Sequence, residues 1–225
     1  NGYYYYTNTL QNRLVLWKTK NLAALDNAES ITVWTPPEGT DYSKDIWAPE
    51  VHFINKKWYI YFAADDGHNK THRMYVLENS SKDPFKGEWE FKGKIAAKTD
   101  KWAIDGNVFN HKGQLYMIWS GWEGDTNGQQ DIFIAKMKNP LEIDGERAKI
   151  SSPKYEWEKH GDLDDPDLPH VNVNEGPQFL AHKDRIFIVF SASGCWTDNY
   201  SLGLLSFNGG DDLLEATAWG KSEEP

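Results

Sequence analysis

Three things are scarce in this sequence: cysteine, positive charge and long apolar runs. Cys195 is the single cysteine among 225 residues, which excludes an internal disulfide. Lysine and arginine number 24 against 34 aspartates and glutamates, giving a formal net charge of -10. That balance argues against nucleic acid and against an anionic membrane surface as partners. No apolar run reaches the ~18 residues of a spanning helix, so we expect no membrane insertion.

Aromatic residues, by contrast, are abundant. The chain holds 11 tryptophans, 11 tyrosines and 10 phenylalanines. Such residues suit the pleated, half-buried surface of a β-sheet, and their rings also stack on sugars. No long stretch has the apolar period of an amphipathic helix. The composition therefore favours an all-β protein.

A short phrase with an acidic residue at its head recurs along the chain. Asp105–Phe109 and Glu175–Phe179 each precede an apolar stretch, and Ala48–Phe53 begins an earlier copy. When the final phenylalanines are aligned, the two acids fall at the same place, and the early copy has a proline there. Each copy predicts a short strand, a turn and a second, apolar strand.

The recurring phrase heads groups of four predicted strands. Its phenylalanines are 56 and 70 residues apart, a period that suits the four-stranded blades of a β-propeller. We predict one propeller domain over residues 1–225, holding part of blade 1, blades 2 and 3, and most of blade 4. The approximate blades are residues 1–44, 45–101, 102–172 and 173–225. No convincing last strand is evident in the fourth.

The two acids at the heads of these groups are the candidate catalytic residues. The first strand of each propeller blade lines the central channel, so Asp105 and Glu175 are expected to converge at its mouth. Two such carboxyl groups suit glycoside hydrolysis, in which one protonated acid donates to the leaving oxygen and a carboxylate activates water. Aromatic neighbours would raise the pKa of the acid by excluding water. The alternative is that both acids merely cap turns at strand starts.

Several segments taken together resemble glycoside hydrolase family 43. They are Asp45–Val51, Ile104–Asp105 and Val173–Pro177. Tyr155–Lys159 and Trp219–Pro225 resemble the exo-α-1,5-L-arabinofuranosidase branch of that family. The resemblance covers nearly the whole chain, and the set of motifs is much more specific than any one of them.

The resemblance implies a five-bladed β-propeller and an inverting mechanism. Glu175 would be the general acid, and Asp105 would tune its pKa and orient it. The family's general base, an aspartate at the head of blade 1, would precede Asn1, and the fifth blade would follow Pro225. The sequence is thus expected to be an internal fragment that does not hydrolyse glycosides by itself.

The predicted activity is release of terminal α-L-arabinofuranosyl residues from arabinan or arabinoxylan of plant polysaccharide. A β-xylosidase of the same family is the nearest alternative. A non-catalytic carbohydrate-binding propeller and a protein-interaction propeller are alternatives from other classes. The expected partner is an oligo- or polysaccharide that contains arabinose or xylose. A secreted or periplasmic location is favoured, with the cytoplasm as the alternative.

Three tryptophans are candidates for contact with the sugar. Trp47, Trp102 and Trp122 lie near strand heads, where a ring could stack on a pentose. Ligand pockets use only a few well-placed side chains, so packing in the protein interior is the alternative for each.

No cofactor and no metal site is predicted from the residues. His52, His68 and His72 fit no metalloprotease spacing, and the acidic segment His160–His170 lacks the EF-hand pattern. The resemblance allows a calcium ion in the channel, although its usual histidine ligand belongs to the fifth blade. Cys195 has no evident neighbouring base, so a packing or rim position is expected for it.

Overall fold

The computed structural model describes residues 2–225 and consists mainly of antiparallel β-sheet. The chain forms two compact units, Asn1–Ile95 and Ala96–Pro225. Within the described residues, helix is confined to short 3₁₀ segments at Leu22–Asn27, Asn69–Thr71, Glu156–Glu158 and Ala216–Ala218. None of the helices in this part of the chain has the length and apolar character needed to cross a bilayer. The all-β class expected from the composition is confirmed.

The first unit contains two antiparallel sheets, one of three strands and one of four. The strands of the first sheet are β1 (Tyr4–Tyr6), β2 (Leu14–Thr19) and β3 (Glu29–Trp34). Those of the second are β4 (Lys44–Ile54), β5 (Lys57–Asp65), β6 (Arg73–Asn79) and β7 (Glu90–Ile95). Both sheets connect their strands in sequence order, as successive hairpins do.

Aromatic rings fill the interior between these two sheets. Trp34 of β3 lies parallel to Phe91 of β7, with ring centroids 5.5 Å apart. Tyr42, from the connection between the sheets, stacks on the same Phe91 ring at 4.3 Å. Leu14 and Phe62 are fully buried in the same cluster. The large aromatic content is therefore used first for packing, since each ring buries extensive apolar area.

The second unit is a single extended sheet with two groups of antiparallel strands. The first group comprises β8 (Ala103–His111), β9 (Gln114–Gly121), β10 (Gln129–Asn139), β11 (Glu142–Ile143) and β12 (Ala148–Ser151). The second comprises β13 (Asn172–His182), β14 (Arg185–Ala192), β15 (Ser201–Phe207) and β16 (Trp219–Lys221). A short parallel pairing joins the groups, with Gln129 opposite Asn172 and Gln130 opposite Val173.

Each copy of the recurring phrase ends in a two-residue hairpin. The connecting residues are Asn55–Lys56, Lys112–Gly113 and Lys183–Asp184. The first two pairs have positive φ at both residues, as type I′ turns require to match the twist of the strands. The predicted strand, turn and apolar strand of each copy are confirmed.

The aligned phenylalanines of the second and third copies meet in space. Phe109 of β8 and Phe179 of β13 stack with centroids 4.0 Å apart and planes inclined by 6°. Phe109 belongs to the buried core of this unit, which also contains Ile118, Ile188 and Phe190. This ring pair therefore holds together the two strands that carry the candidate acids.

The strand prediction needs one correction. The fourth group does have a last strand, because β16 pairs antiparallel with β15. Trp219 anchors it, since the indole is buried and its Nε1 donates to the Leu213 carbonyl at 2.9 Å. Three residues are too few to show the alternation by which strands are recognised in sequence. Closure into a five-bladed ring remains a prediction.

Tight packing at Gly203 of β15 generates the first testable prediction. A methyl group there would lie 2.4 Å from Cζ of Phe190 and 2.7 Å from Cη2 of Trp157. We expect Gly203→Ala to lower the free energy of unfolding by about 1–3 kcal/mol through overpacking. Gly124→Ala is the control, since nothing lies within 4 Å of the added methyl there. Urea denaturation of both variants measures the difference, and equal midpoints would contradict the packing described here.

Candidate active site

The two candidate acids lie at irregularities of their strands. The pairing of β8 with β9 shifts register between Ile104 and Asn107, around Asp105. The pairing of β13 with β14 shifts between Glu175 and Gln178. Such bulges redirect side chains and are frequent beside active sites. Asp105 itself has a φ of 58°, in the left-handed region that aspartate tolerates better than most residues.

A short hydrogen-bond network joins the heads of β8 and β13. The Gly176 amide donates to Oδ2 of Asp105 at 2.9 Å. Further along the two strands, the Phe179 amide donates to Oδ1 of Asn107 at 3.3 Å. The Asn107 amide group also donates to Oε1 of Gln178 at 3.1 Å. This geometry places the Asp105 carboxylate against the backbone of the residue that follows Glu175. Convergence of the two acids at the mouth of a central channel stays a prediction.

The electrostatics of Glu175 are unusual for a carboxylic acid. Its side chain lies in the interior, with only 8% of the residue exposed. Burial raises its pKa most, and the negative charge of Asp105 raises it further, to about 8. A carboxyl group in this environment is protonated at neutral pH. It can therefore hold a proton at a position where most glutamates carry none.

Tyr200 is the residue at this site that the sequence analysis missed. Its hydroxyl donates to Oε1 of Glu175 at 3.0 Å. This bond lowers the pKa of Glu175, whereas burial and the charge of Asp105 raise it. Burial of the phenol, followed by the charge of Glu175, raises the pKa of Tyr200 itself. Tyr200 immediately precedes β15 and belongs to no recurring phrase, so no sequence signal marked it.

Cys195 lies close enough to the pair of acids to sense their charge. Burial of the sulfur raises the pKa of the thiol, and the charges of Glu175 and Asp105 raise it further. A thiol whose pKa is raised carries little thiolate at neutral pH, which disfavours a nucleophilic role. The residue as a whole is exposed, as the rim position expected for it requires.

The three candidate tryptophans have different surroundings. Trp102 and Trp122 stack on each other with centroids 4.8 Å apart, and each is only 3% exposed. Trp47, in the first unit, is half-buried; its Nε1 donates to Oε1 of Gln11 at 3.0 Å. The Trp47 ring also stacks on His72 at 4.0 Å. The buried pair resembles interior packing more than an open sugar platform, and the sugar-binding role of all three stays a prediction.

The remaining histidines and acids do not form a metal centre in residues 2–225. No group of three or more His, Cys, Asp or Glu side chains in this range could hold a metal ion. The candidate histidines each have a different acidic neighbour: His52 contacts Glu50, His68 contacts Asp66 and His72 contacts Asp65. In the acidic loop, Nδ1 of His170 lies 2.6 Å from Oδ1 of Asp162. The channel calcium that the resemblance allows stays an expectation.

Comparison with known proteins agrees with the sheet architecture. The family model described as "Glycosyl hydrolases family 43" matches residues 1–225. The chain is 39% identical over 228 residues to an extracellular exo-α-(1→5)-L-arabinofuranosidase of Streptomyces avermitilis, covering 100% of this chain and 45% of that protein. A protein of the same description from Streptomyces chartreusis is 36% identical over 228 residues, with 100% and 66% covered.

A solved structure is similar to this chain in both fold and sequence. The crystal structure of an α-L-arabinofuranosidase from Lactobacillus brevis matches with a TM-score of 0.88 and 36% identity, covering 100% of this chain and 70% of that one. The family match, the similarity to these relatives and the sheet architecture together define a glycoside hydrolase domain. The chain belongs to glycosyl hydrolase family 43. It spans about half to two-thirds of the length of the two Streptomyces relatives.

The raised pKa of Glu175 predicts a dependence of stability on pH. An ordinary glutamate titrates near 4.5, and folded Glu175 near 8. Between those values the folded protein keeps a proton that the unfolded chain has released, so stability falls as pH rises through this window. The loss is about 1.4 kcal/mol for each unit of pKa difference. Glu175→Gln cannot ionise and should therefore gain stability relative to wild type between pH 5 and pH 9.

Urea denaturation at the two pH values measures this effect. Glu29→Gln, on an exposed residue of β3, is the control for the change in net charge. If wild type and Glu175→Gln lose stability in parallel from pH 5 to pH 9, Glu175 does not hold its proton through that range.

Proposed function

We propose that the protein is an inverting, exo-acting α-L-arabinofuranosidase. It would release terminal α-L-arabinofuranosyl residues from arabinan- or arabinoxylan-type plant polysaccharide. The descriptions of the Streptomyces relatives and of the Lactobacillus structure support the sugar and the linkage. On the family resemblance, the strand groups described above are blades of a five-bladed propeller.

The observation that carries this proposal is a buried glutamate, Glu175, whose neighbour Gly176 is hydrogen-bonded to a second acid, Asp105. Glu175 acts as the general acid and donates its proton to the glycosidic oxygen as the bond to the sugar breaks. A pKa of about 8 keeps the proton available near neutrality. General acids work best when their pKa lies close to the working pH, a condition that an ordinary exposed glutamate does not meet.

Asp105 supports the acid in two ways. Its negative charge disfavours ionisation of Glu175 and so maintains the proton. Its Oδ2 also accepts from the amide of Gly176, the residue directly after the acid, and so fixes the backbone there. Asp105 is thus a positioning and pKa-setting residue, while Glu175 touches the reacting oxygen.

The other half of an inverting reaction is activation of water by a carboxylate. On the family resemblance this base is an aspartate at the head of blade 1. Water then attacks the anomeric carbon on the face opposite the leaving group, and the configuration inverts. NMR of the first sugar released identifies its anomer, and retention of configuration would exclude this mechanism.

Three tryptophans are proposed to contact the sugar. Trp47, Trp102 and Trp122 remain the predicted sugar-stacking residues, and Trp47 is the best exposed of them.

The two Streptomyces relatives are described as extracellular, which supports a secreted or periplasmic location here. A net charge of -10 disfavours nucleic acid and anionic lipid as partners. No cofactor is proposed.

Replacement of the acid separates an enzyme from a binding module. In the complete protein, we expect Glu175→Gln to lower kcat on α-1,5-linked arabinobiose by about 10²–10⁴-fold, the usual contribution of a general acid. Binding of arabinose oligomers, measured by calorimetry, should persist. Glu142→Gln, on an exposed glutamate of β11 in the same unit, is the control.

Three results would contradict the proposal. Turnover unaffected by Glu175→Gln would remove this residue from the chemistry. Sugar binding without turnover in wild type would favour a carbohydrate-binding propeller. Activity on β-xylosides with none on α-L-arabinofuranosides would favour the β-xylosidase.

Replacement of Asp105 tests the source of the raised pKa. Asp105→Asn keeps an oxygen for the Gly176 amide but removes the charge, so the pKa of Glu175 should fall. Activity requires protonated Glu175 and is lost as pH rises through that pKa. The basic limb of the kcat/KM profile should therefore move to lower pH, whereas the exposed control Asp184→Asn should leave it in place. An unmoved limb in Asp105→Asn would show that the charge does not set this pKa.

A further inference from the structure

A buried polar network lies directly behind the candidate acid, on the residue that precedes it. Asn174 is fully buried in β13, and its carbonyl oxygen accepts from Oγ of Ser120 at 2.9 Å. Its side-chain Oδ1 accepts from Oγ of Ser151 at 2.8 Å and from Nζ of Lys221 at 2.9 Å. Its amide group donates to Oε1 of Glu158 at 2.9 Å. Asn174 is thus held through both its side chain and its backbone.

Glu158 and Lys221 form the charged part of this network. Lys221 is 11% exposed at its side chain, and Glu158 is fully buried. Besides donating to Glu158 and Asn174, Nζ of Lys221 donates to the Ser152 carbonyl at 2.7 Å, so all three of its protons are used. The second oxygen of Glu158 accepts from the amides of Lys154 and Tyr155 at 2.7 and 2.8 Å.

Each polar side-chain atom of Asn174, Glu158 and Lys221 has a hydrogen-bond partner. A fully satisfied buried network makes its surroundings rigid and specifies one arrangement, whereas loss of one member leaves a buried charge without a partner. Trp157 adds a second link between these segments, because its Nε1 donates to the Glu223 carbonyl at 2.8 Å. The segments Tyr155–Lys159 and Trp219–Pro225, far apart in sequence, are therefore joined to each other behind β13.

The network lies next to the backbone of Glu175. Asn174 is covalently bonded to Glu175, and the regular pairing of β13 is interrupted just after the acid. The backbone of Glu175 is consequently held from the front by the bond between Gly176 and Asp105. From behind, it is held by Asn174. The pairing with β14 and the Tyr200 hydroxyl also restrain Glu175, and Asn174 adds to them a restraint on the backbone next to the acid.

We propose that Glu158 and Lys221 are positioning residues that act through Asn174 to hold the Glu175 carboxyl in line with the leaving oxygen. This inference rests on the proposed role of Glu175 as general acid. It assigns a function to two sequence segments, Tyr155–Lys159 and Trp219–Pro225, that lie outside the recurring phrase. Small displacements of a catalytic group cost rate steeply, by about 10²-fold for 1 Å.

Dependence on the leaving group distinguishes positioning from a general loss of structure. Phenyl α-L-arabinofuranoside releases a basic phenolate that needs a proton, whereas the 2,4-dinitrophenyl compound releases an acidic phenol that needs none. A variant with a misplaced acid should lose kcat on the phenyl substrate and keep most of it on the dinitrophenyl substrate. A variant that is merely partly unfolded loses both equally, so the ratio of the two rates is unchanged.

The variants are compared in the complete protein. We expect Lys221→Met to raise the ratio of the dinitrophenyl to the phenyl rate by about 10- to 100-fold over wild type. Lys221→Arg, which keeps the cation, should recover part of the change. Lys136→Met is the matched control, since it breaks the exposed pair of Lys136 with Asp212 in the same unit and should leave the ratio at its wild-type value. Ser151→Ala removes one bond to Asn174 and should raise the ratio by a smaller factor.

The outcomes separate this inference from the proposed function. If Glu175→Gln does not raise the ratio, the general-acid assignment itself fails. If Glu175→Gln raises it but Lys221→Met and Ser151→Ala do not, the positioning role alone is overturned. If Lys221→Met does not fold, the Ser151→Ala result decides.

Discussion

One carboxyl group buried against the charge of another is the interaction on which this site depends. Burial alone would raise the pKa of Glu175, and the adjacent charge of Asp105 raises it further. The arrangement lowers stability at pH values above the ordinary pKa of a glutamate, because the folded protein keeps a proton that the unfolded chain releases. It is maintained by the surrounding bonds: the Gly176 amide on Asp105, the Tyr200 hydroxyl on Glu175, and the side chains that hold Asn174.

The sheet architecture supplies this interaction from distant parts of the chain. β8 and β13 each begin a group of antiparallel strands, and each has its bulge beside an acid. The stack of Phe109 on Phe179 and the bonds of Asn107 bring these two strand heads together. The packing of these strands therefore brings the two acids together, and a few polar contacts complete the site.

The repetition of a short phrase along the chain made the positions of the two acids and of the hairpins predictable from sequence. Aligning the recurring phrases placed Asp105 and Glu175 at equivalent positions, and equivalent positions of neighbouring strand groups meet in space. The hairpins were predictable for the same reason. Tyr200 and β16 were not, because one lies in a connection with no repeated pattern and the other is three residues long. The contact between Glu158 and Lys221 joins residues 63 positions apart and depends on tertiary packing that no local pattern encodes.

The bulge in β13 has a consequence for how this sequence can change. Side chains alternate between the faces of a strand, and the extra backbone at Glu175–Gln178 resets that alternation relative to β14. Shortening this stretch by one residue would turn the acid to the opposite face, even though every remaining residue stayed the same. Evolution can therefore vary the composition around this carboxyl group far more freely than the number of residues that deliver it.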